Sequence, residues 1–361
     1  MSSEDRGANM SKNVPALSQQ STALAKRQKL AERARAYTQS ALSPHTRRNY
    51  AAQIKLWLAW SDEHERPGLP ADPTDVSHWL TDRADAGQKV GTLRTAIAAL
   101  KSMHAAKGHP FDTTHPDLVH VMKGIAREHG SVQRQVEPLR ALDVMDIVAA
   151  CEATPKGRRD AALFALGYVF ALRRSELVGL DLDKLGSGTG FIQIKATTIE
   201  LTLARSKTAG SKPEPVTIPR APNADAVKAI EAWLEEAGIG PGEPLLRRVT
   251  KGGKIFGRLH AQSVALIIKT RVAAHHVCQG VPLATAQAEA NKFSGHSLRV
   301  GFATPAAESG ADLRGISSVT RHKTMEMPRR YAQRADQLKT SPYNHVGVGL
   351  ERRRLRGSDA A

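Results

Sequence analysis

The sequence is poor in cysteine, in long apolar runs and in acidic charge, and each shortage excludes something. Two cysteines, Cys151 and Cys278, occur in 361 residues, so there is no disulfide framework, and a reducing cytosol suits the chain. No apolar run approaches the roughly 20 residues that a membrane span needs. Residues 1–36 are polar, Ala-rich and charged, without the apolar core of a secretory signal. No internal repeat of fixed period is present. Two catalytic motifs are incomplete. Gly186, Gly188 and Gly190 lack the third glycine and the strand–helix frame of a dinucleotide loop, so a hairpin turn is their expected use. Gly295-His296-Ser297-Leu298 has Arg299 where a nucleophile elbow needs glycine. His275, His276 and Cys278 stand too close together for a four-ligand zinc site without partners elsewhere, so no metal is expected.

What the chain has in surplus is positive charge. It carries 52 Lys and Arg against 35 Asp and Glu, a formal net charge of +17. A surplus of that size points to a polyanionic partner, nucleic acid before an anionic membrane. The surplus is spread along the chain, with 18 basic against 13 acidic residues over 1–130 and 34 against 22 beyond. Both parts are therefore expected to touch a nucleic acid. A hydrophobic share of 41% is enough for packed cores, and the length suits two or three domains.

Local patterns predict the organisation. Residues 1–36 read as a flexible basic arm. Ser43-Pro44 opens a helix with the apolar stripe Tyr50, Ile54, Trp57 and Leu58. Asp72-Pro73 opens a second that ends near Gly87. Val90, Leu93, Ile97 and Leu100 stripe a third that stops at Lys107-Gly108, and His115-Pro116 opens a fourth that stops at His129-Gly130. These four form an all-α domain over 37–129. The polar segment 130–138 reads as a linker. Over 139–361 helical patterns at 141–153 and 159–172 precede the alternating residues Ile192 and Ile194, then Ile199, Leu201 and Leu203, then Val216 and Ile218. These alternations predict a small antiparallel β-sheet. Helical patterns return at 223–237, at 262–278 and from Ser297. The expected fold is mainly α with a small antiparallel β-sheet, an all-α N-terminal domain followed by a mixed α+β domain.

Two groups of charged residues stand out. Arg173-Arg174-Ser175-Glu176-Leu177 ends an otherwise apolar helix, where a buried arginine or glutamate needs a partner. An Arg–Glu ion pair pinning the helix end and a functional site both fit. His296 and Arg299, at i and i+3, share a helix face. His322 precedes Tyr331 by nine residues in a very basic segment.

Together the patterns ALRRSELVGL, ARSKTAG, GHSLRVGFAT and RHKTMEMPRRY resemble, in order and spacing, the tyrosine recombinases of the phage integrase family. The resemblance extends over about residues 37–345. LSPHTRRNY, Trp57 and Trp60, and RTAIAALKSMH are similar to that family's SAM-like core-binding domain. In detail the chain looks most like Cre-like and other single-chain integrases. The resemblance implies an enzyme that cleaves and rejoins DNA strands through a 3′-phosphotyrosine intermediate and a Holliday junction. It implies integration, excision or resolution of a mobile element, with neither cofactor nor ATP. Its partners would be double-stranded DNA with inverted-repeat sites and three further copies of the chain, a DNA-bound homotetramer. The location would be cytoplasmic and nucleoid-associated.

The resemblance also assigns residues. Tyr331 matches the nucleophile. Ionising a tyrosine at pH 7 costs about 4 kcal/mol, which nearby cations and concerted proton removal offset. Of the other tyrosines, Tyr37 precedes the folded lobe, Tyr50 and Tyr168 sit in helical patterns that suit burial, and Tyr343 follows Pro342 as the remaining rival. Arg173 and Arg299 match two arginines that clamp the transition-state oxygens, which a lysine cannot do bidentately. The family spacing to Glu176 selects Arg173 over Arg174, and Glu176 then orients an arginine or histidine, or serves as a cap or ion pair. Lys207 matches the acid that protonates the leaving 5′-oxygen, with Lys212 competing. His296 matches a base or a hydrogen-bond donor at the phosphate, and His322 a pocket-supporting contact. Pro305 and Pro328 depart from regular helix in this region. Thr46, Arg47 and Arg48 start a helix and suit phosphate contact. Arg94 and Lys101 are DNA-binding candidates or a solvated basic face. The segment Val346 to Arg356 is expected to dock on a neighbour or to touch phosphates. Two alternatives stand beside the recombinase: a non-catalytic DNA-binding relative, and a type IB topoisomerase or telomere resolvase sharing the chemistry.

Overall fold

The computed structural model describes residues 26–34, 37, 41–130, 136–203 and 215–321, with 325, 326 and 329. The chain divides into two compact units, 1–134 and 135–361. Among the described residues no helix is long and apolar enough to cross a membrane.

In the first unit residues 26–34 are helical, and four helices follow: α1 (Pro44–Glu63), α2 (Pro73–Asp85), α3 (Val90–Lys107) and α4 (Pro116–Glu128). Their starts are written in cap chemistry. Ser43 Oγ accepts from the Thr46 amide at 3.1 Å, and Asp72 Oδ1 accepts from Thr74 at 2.8 Å, each before a proline at the first helical position. α3 closes on Gly108 at φ +74°, where glycine carries no Cβ penalty. α1 packs on α3 and α2 on α4. The core centres on Trp57, Trp79, Leu80, Leu93, Leu100 and Leu118, with Trp57 edge-on to Trp79 at 5.4 Å between centroids. Leu58, placed on the buried stripe by spacing, is exposed instead. Trp57 and Ser61 are the buried positions of α1, and Tyr50 and Ile54 are half-buried. His104 is fully buried. Its Nε2 accepts from the Ala71 amide at 2.8 Å, so its Nδ1 carries the proton donated to the Leu100 carbonyl, also at 2.8 Å.

The second unit begins with an extended segment against its own core: Glu137 N–H donates to Lys292 O and Leu139 N–H to Ser297 O, each at 3.2 Å. Residues 137–138, read as linker, are thus docked on this unit. Then come α5 (Ala141–Ala149), α6 (Pro155–Val169), the five-residue α7 (Arg174–Val178) and a four-stranded sheet of β1 (Leu180–Leu182), β2 (Gly190–Ile194), β3 (Thr198–Leu203) and β4 (Val216–Pro219) in the order β1-β2-β3-β4. β2, β3 and β4 pair antiparallel, with Ile199, Leu201 and Leu203 buried on one face of β3. The edge strand β1 pairs with β2 in parallel. The glycine run is therefore no hairpin turn but a tight crossover. The amides of Gly186 and Gly188 donate to the fully buried Asp181 carboxylate at 2.8 Å, which also pairs with Arg258.

The chain continues through α8 (Ala224–Ala237), the hairpin β5 (Arg247–Val249) and β6 (Ile255–Arg258), α9 (Ala261–Cys278), α10 (Leu283–Ala290), α11 (Ser297–Glu308) and α12 (Leu313–Thr320). α6 lies at the centre, packed on α5, α8 and α11. The pattern at 159–172 therefore belongs to a helix that begins at Pro155 and ends at Val169. Even its polar residues Arg159 and Asp160 are buried, joined to Arg271 by Asp160. α11 runs through Pro305 without a break.

Gly301, inside α11, is the tightest approach in this unit. A Cβ there would lie 1.7 Å from the Leu139 carbonyl oxygen, a backbone atom with little freedom to yield. Gly301→Ala should destabilise the unit by about 3 kcal/mol, at the upper end for overpacking. Gly315→Ala, in α12 with nothing within 4 Å of the added carbon, should stabilise it by about 0.5 kcal/mol. Urea unfolding of the two variants should give midpoints displaced to opposite sides of the parent.

Candidate active site

The site grows from an interruption. Arg173 does not end the apolar helix as its sequence suggests. α6 stops at Val169, and Phe170, Ala171 and Leu172 form a buried turn in which Ala171 takes φ +46°. A left-handed alanine costs about 1 kcal/mol. The turn frees its carbonyls from helix pairing, and two arginines use them: Arg299 Nη1 donates to Ala171 O at 2.9 Å, and Arg321 Nη2 to the same oxygen at 3.3 Å.

The chain then restarts as α7 with Arg173, in extended conformation, as its N-cap. Glu176, at the third helical position, accepts from the Arg173 amide at 2.9 Å and from Arg173 Nη1 at 2.6 Å. It is both cap and ion pair. Its Oε2 also accepts from Arg321 Nη2 at 3.0 Å. Burial alone would raise the Glu176 pKa, but the Arg321 charge and the Arg173 bonds outweigh it and hold the carboxyl below its ordinary value. Arg174, one residue on, is exposed, and its methylenes lie over Gly295.

The opposite wall is the start of α11. Ser294 N–H donates to Ser297 Oγ at 3.0 Å, and His296 N–H to Ser294 Oγ at 3.2 Å, fixing the turn that makes His296 the N-cap. Arg299, in the first turn, is completely buried. A cation there opposes the helix dipole, and the Ala171 carbonyl is the acceptor that compensates it. The His296 ring is solvent-accessible, yet enough protein surrounds it that desolvation leads the causes holding its pKa below the ordinary histidine value. Arg299 and Arg173 push the same way, and Glu176 opposes them. His296 is thus within electrostatic reach of all three.

Segments 173–176, 296–299 and Arg321 therefore meet, with three guanidiniums, one carboxylate and an accessible imidazole. Positive charge exceeds negative where buried Arg299 meets solvent-accessible Arg173 and His296, an arrangement that stabilises an oxyanion such as a phosphate in a pentavalent state. Arg321 and Ala171 open the patterns RHKTMEMPRRY and ALRRSELVGL, but the resemblance assigns neither of them a role, and the left-handed backbone of the alanine has no cue in the sequence. Lys207, Lys212, His322, Pro328, Tyr331 and Tyr343 lie outside the described residues, as does the segment 346–356. Tyr168 is half-buried against Phe302, and burial raises its pKa. Tyr37 is exposed, bonded to Arg33.

In the first unit Thr46 and Arg94 line one shallow groove with Asn49, Tyr50, Thr95 and Ala98. Thr46, Asn49 and Tyr50 follow helical spacing on α1, a signal the sequence held. Arg47, Arg48 and Lys101 are exposed and stand outside that groove. Among the described residues no group of three or more His, Cys, Asp or Glu side chains converges to hold a metal ion.

Comparison with known proteins places the chain in a family. Residues 137–337 match the phage integrase family, and residues 37–109 match the phage integrase N-terminal SAM-like domain. An integrase/recombinase XerD homolog of Selenomonas ruminantium is 31% identical over 330 residues, 88% of this chain and 90% of that protein. The Cre recombinase of Escherichia phage P1 is 25% identical over 317 residues, 83% of this chain and 87% of that one. Among solved structures, the XerH site-specific recombinase bound to its palindromic difH substrate superposes with a TM-score of 0.58 at 14% identity, covering 83% of this chain and 79% of that one. The Tn1549 transposon integrase in complex with transposon right-end DNA gives 0.53 at 14% identity, covering 82% and 94%. The chain belongs to the phage integrase family, the tyrosine recombinases that cleave and rejoin DNA at specific sites.

Proposed function

We propose that Tyr331 is the nucleophile of this recombinase and that Arg173 and Arg299 bind the oxygens of a single scissile phosphate. The observation that carries the reading is that Arg173 on Glu176 and Arg299 on the Ala171 carbonyl are joined through Arg321, which bonds both acceptors, with His296 in electrostatic reach. The Tyr331 oxygen attacks phosphorus as the bond to the 5′-oxygen breaks. The tyrosine proton passes to neutral His296, and Lys207 protonates the departing 5′-oxygen. The 3′-phosphotyrosine conserves the energy of the phosphodiester, so a 5′-hydroxyl from a partner strand reverses the step and regenerates the tyrosine without ATP. Two exchanges between two sites take four active sites, hence a homotetramer on inverted-repeat DNA that passes through a Holliday junction. His322 contacts a phosphate oxygen beside them.

Binding is a separate task. Thr46, Arg94 and the groove they share, with exposed Arg47, Arg48 and Lys101, serve phosphate contact and register. A non-catalytic binder would have no use for Tyr331 beside the full set of Arg173, Lys207, His296, Arg299 and His322.

A nicked suicide duplex, selected from a randomised library by covalent capture with the wild-type protein, tests the chemistry. Wild type should accumulate a covalent adduct and Tyr331→Phe none. The variant's affinity should stay within about threefold of wild type and fall steeply with salt, by roughly 0.9 log units per log unit of salt for each phosphate contacted. An equal adduct from Tyr331→Phe, or a salt-independent affinity, overturns the assignment. The pH profile tests His296. Because its pKa lies below the ordinary value of about 6.5, single-turnover cleavage at subsaturating protein should fall toward acid with a midpoint below 6.5. That acid limb should be missing in His296→Asn. A rate that rises as the pH falls assigns His296 to hydrogen-bond donation instead.

A further inference from the structure

Arg321 opens the RHKTMEMPRRY pattern but holds none of the roles the resemblance assigns, and its side chain is largely buried. It closes α12 in the left-handed conformation, φ +53° and ψ +48°, with its amide donating to Ser317 O. That conformation favours glycine and costs about 1 kcal/mol for any other residue. The side chain gives the position its use. Only 16% of it is exposed. Nη1 donates to Val319 O at 2.7 Å and to Phe170 O at 3.2 Å. Nη2 reaches Phe170 O at 3.2 Å, Ala171 O at 3.3 Å and Glu176 Oε2 at 3.0 Å. One guanidinium thus touches both supports of the phosphate arginines: the carboxylate that holds Arg173 and the carbonyl that holds Arg299. In the sequence it directly precedes His322 and stands ten residues before Tyr331.

We infer that Arg321 is a positioning residue for strand cleavage, acting through Glu176 and the Ala171 turn to hold Arg173 and Arg299 in register with the segment that carries the nucleophile. The inference rests on the assignment of Tyr331, Arg173 and Arg299 proposed above. Its physical content is specific. A carboxylate shared by two guanidiniums is pulled from both sides, and removing Arg321 leaves Glu176 paired with Arg173 alone, free to follow it toward solvent. The Ala171 carbonyl loses one of its two donors, and the left-handed turn loses part of its reason to persist. A phosphate clamp works only when both forks meet the same phosphorus, so small displacements cost rate well before they cost affinity.

Single-turnover adduct formation on the selected suicide duplex, measured beside DNA affinity, tests this. The variants are Arg321→Gly, which suits the left-handed backbone, Arg321→Lys, which keeps the charge without the planar fork, Glu176→Gln, and the Arg321→Gly/Glu176→Gln double variant. Arg321→Gly should slow the adduct at least 100-fold while affinity and its salt slope stay within threefold of wild type. Arg321→Lys should recover no more than about tenfold of that loss. The double variant should be no slower than the slower single one, because both act on one unit. Wild-type rates in Arg321→Gly, losses that multiply in the double variant, or affinity falling in step with rate would each overturn the inference. Where Arg321→Gly shows no cooperative unfolding transition, Arg321→Lys takes its place, with a loss of at least about tenfold in rate expected at an affinity within threefold of wild type. A wild-type protein that forms no adduct, or a Tyr331→Phe variant that does, is a different failure: it removes the parent assignment, and this one with it.

Discussion

A guanidinium stays charged at any physiological pH, so one taken out of water must be met by acceptors. The second unit buries Arg299 completely and Arg321 largely, and the turn at 170–171 supplies acceptors to both, with Glu176 and Val319 O adding to those of Arg321. Carbonyls inside a helix are already engaged by the amide four residues on, so this supply exists only where a helix is broken. The break at Ala171 provides it and also directs the chain beyond. The backbone re-enters as a new helix with Arg173 at its N-cap and Glu176 one turn in, beside the N-terminus of α11, where His296 and Arg299 begin. Gly301 lets α11 lie directly against the Leu139 backbone.

Much of the fold was legible because it rests on local chemistry. Ser43-Pro44, Asp72-Pro73 and His115-Pro116 announce three helices of the first unit, and Gly108 ends one. Ile199, Leu201 and Leu203 mark a half-buried strand by alternation. The features that escaped depend on distant partners. Nothing in LFALGYVFALRRSEL signals a break, since no proline or turn-forming pair interrupts it. The acceptors' users, Arg299 and Arg321, lie 128 and 150 residues from Ala171. β1 is buried at all three of its residues and shows no alternation, so its parallel pairing has no local cue. Spacing put Leu58 on the right helix but could not give the width of the buried face. For the site, motif order singled out Arg173, His296 and Arg299, and the fold brings these three together. Arg321 heads a quoted pattern, but its role stayed hidden because an acceptor it serves, Ala171 O, lies 150 residues away.

The charge surplus of the sequence divides along the same line. Arg47, Arg48 and Lys101 are exposed and hydrated, and in the proposed reading they are individually replaceable for positioning on a polyanion. Arg173, Arg299 and Arg321 are linked through the Glu176 carboxylate and the Ala171 carbonyl, where each loss is felt by the others.

The central claim is that Arg173 and Arg299 stabilise charge on one phosphate. Replacing one non-bridging oxygen of the scissile phosphate with a methyl group removes that charge while leaving the attack geometry in place. On the methylphosphonate, Arg173→Ala and Arg299→Ala should each lose less than about tenfold in single-turnover cleavage relative to wild type, against losses of at least 100-fold on the ordinary phosphate, in line with removal of one oxyanion donor. Equal losses on the two substrates would contradict the account and place those arginines in folding or binding instead.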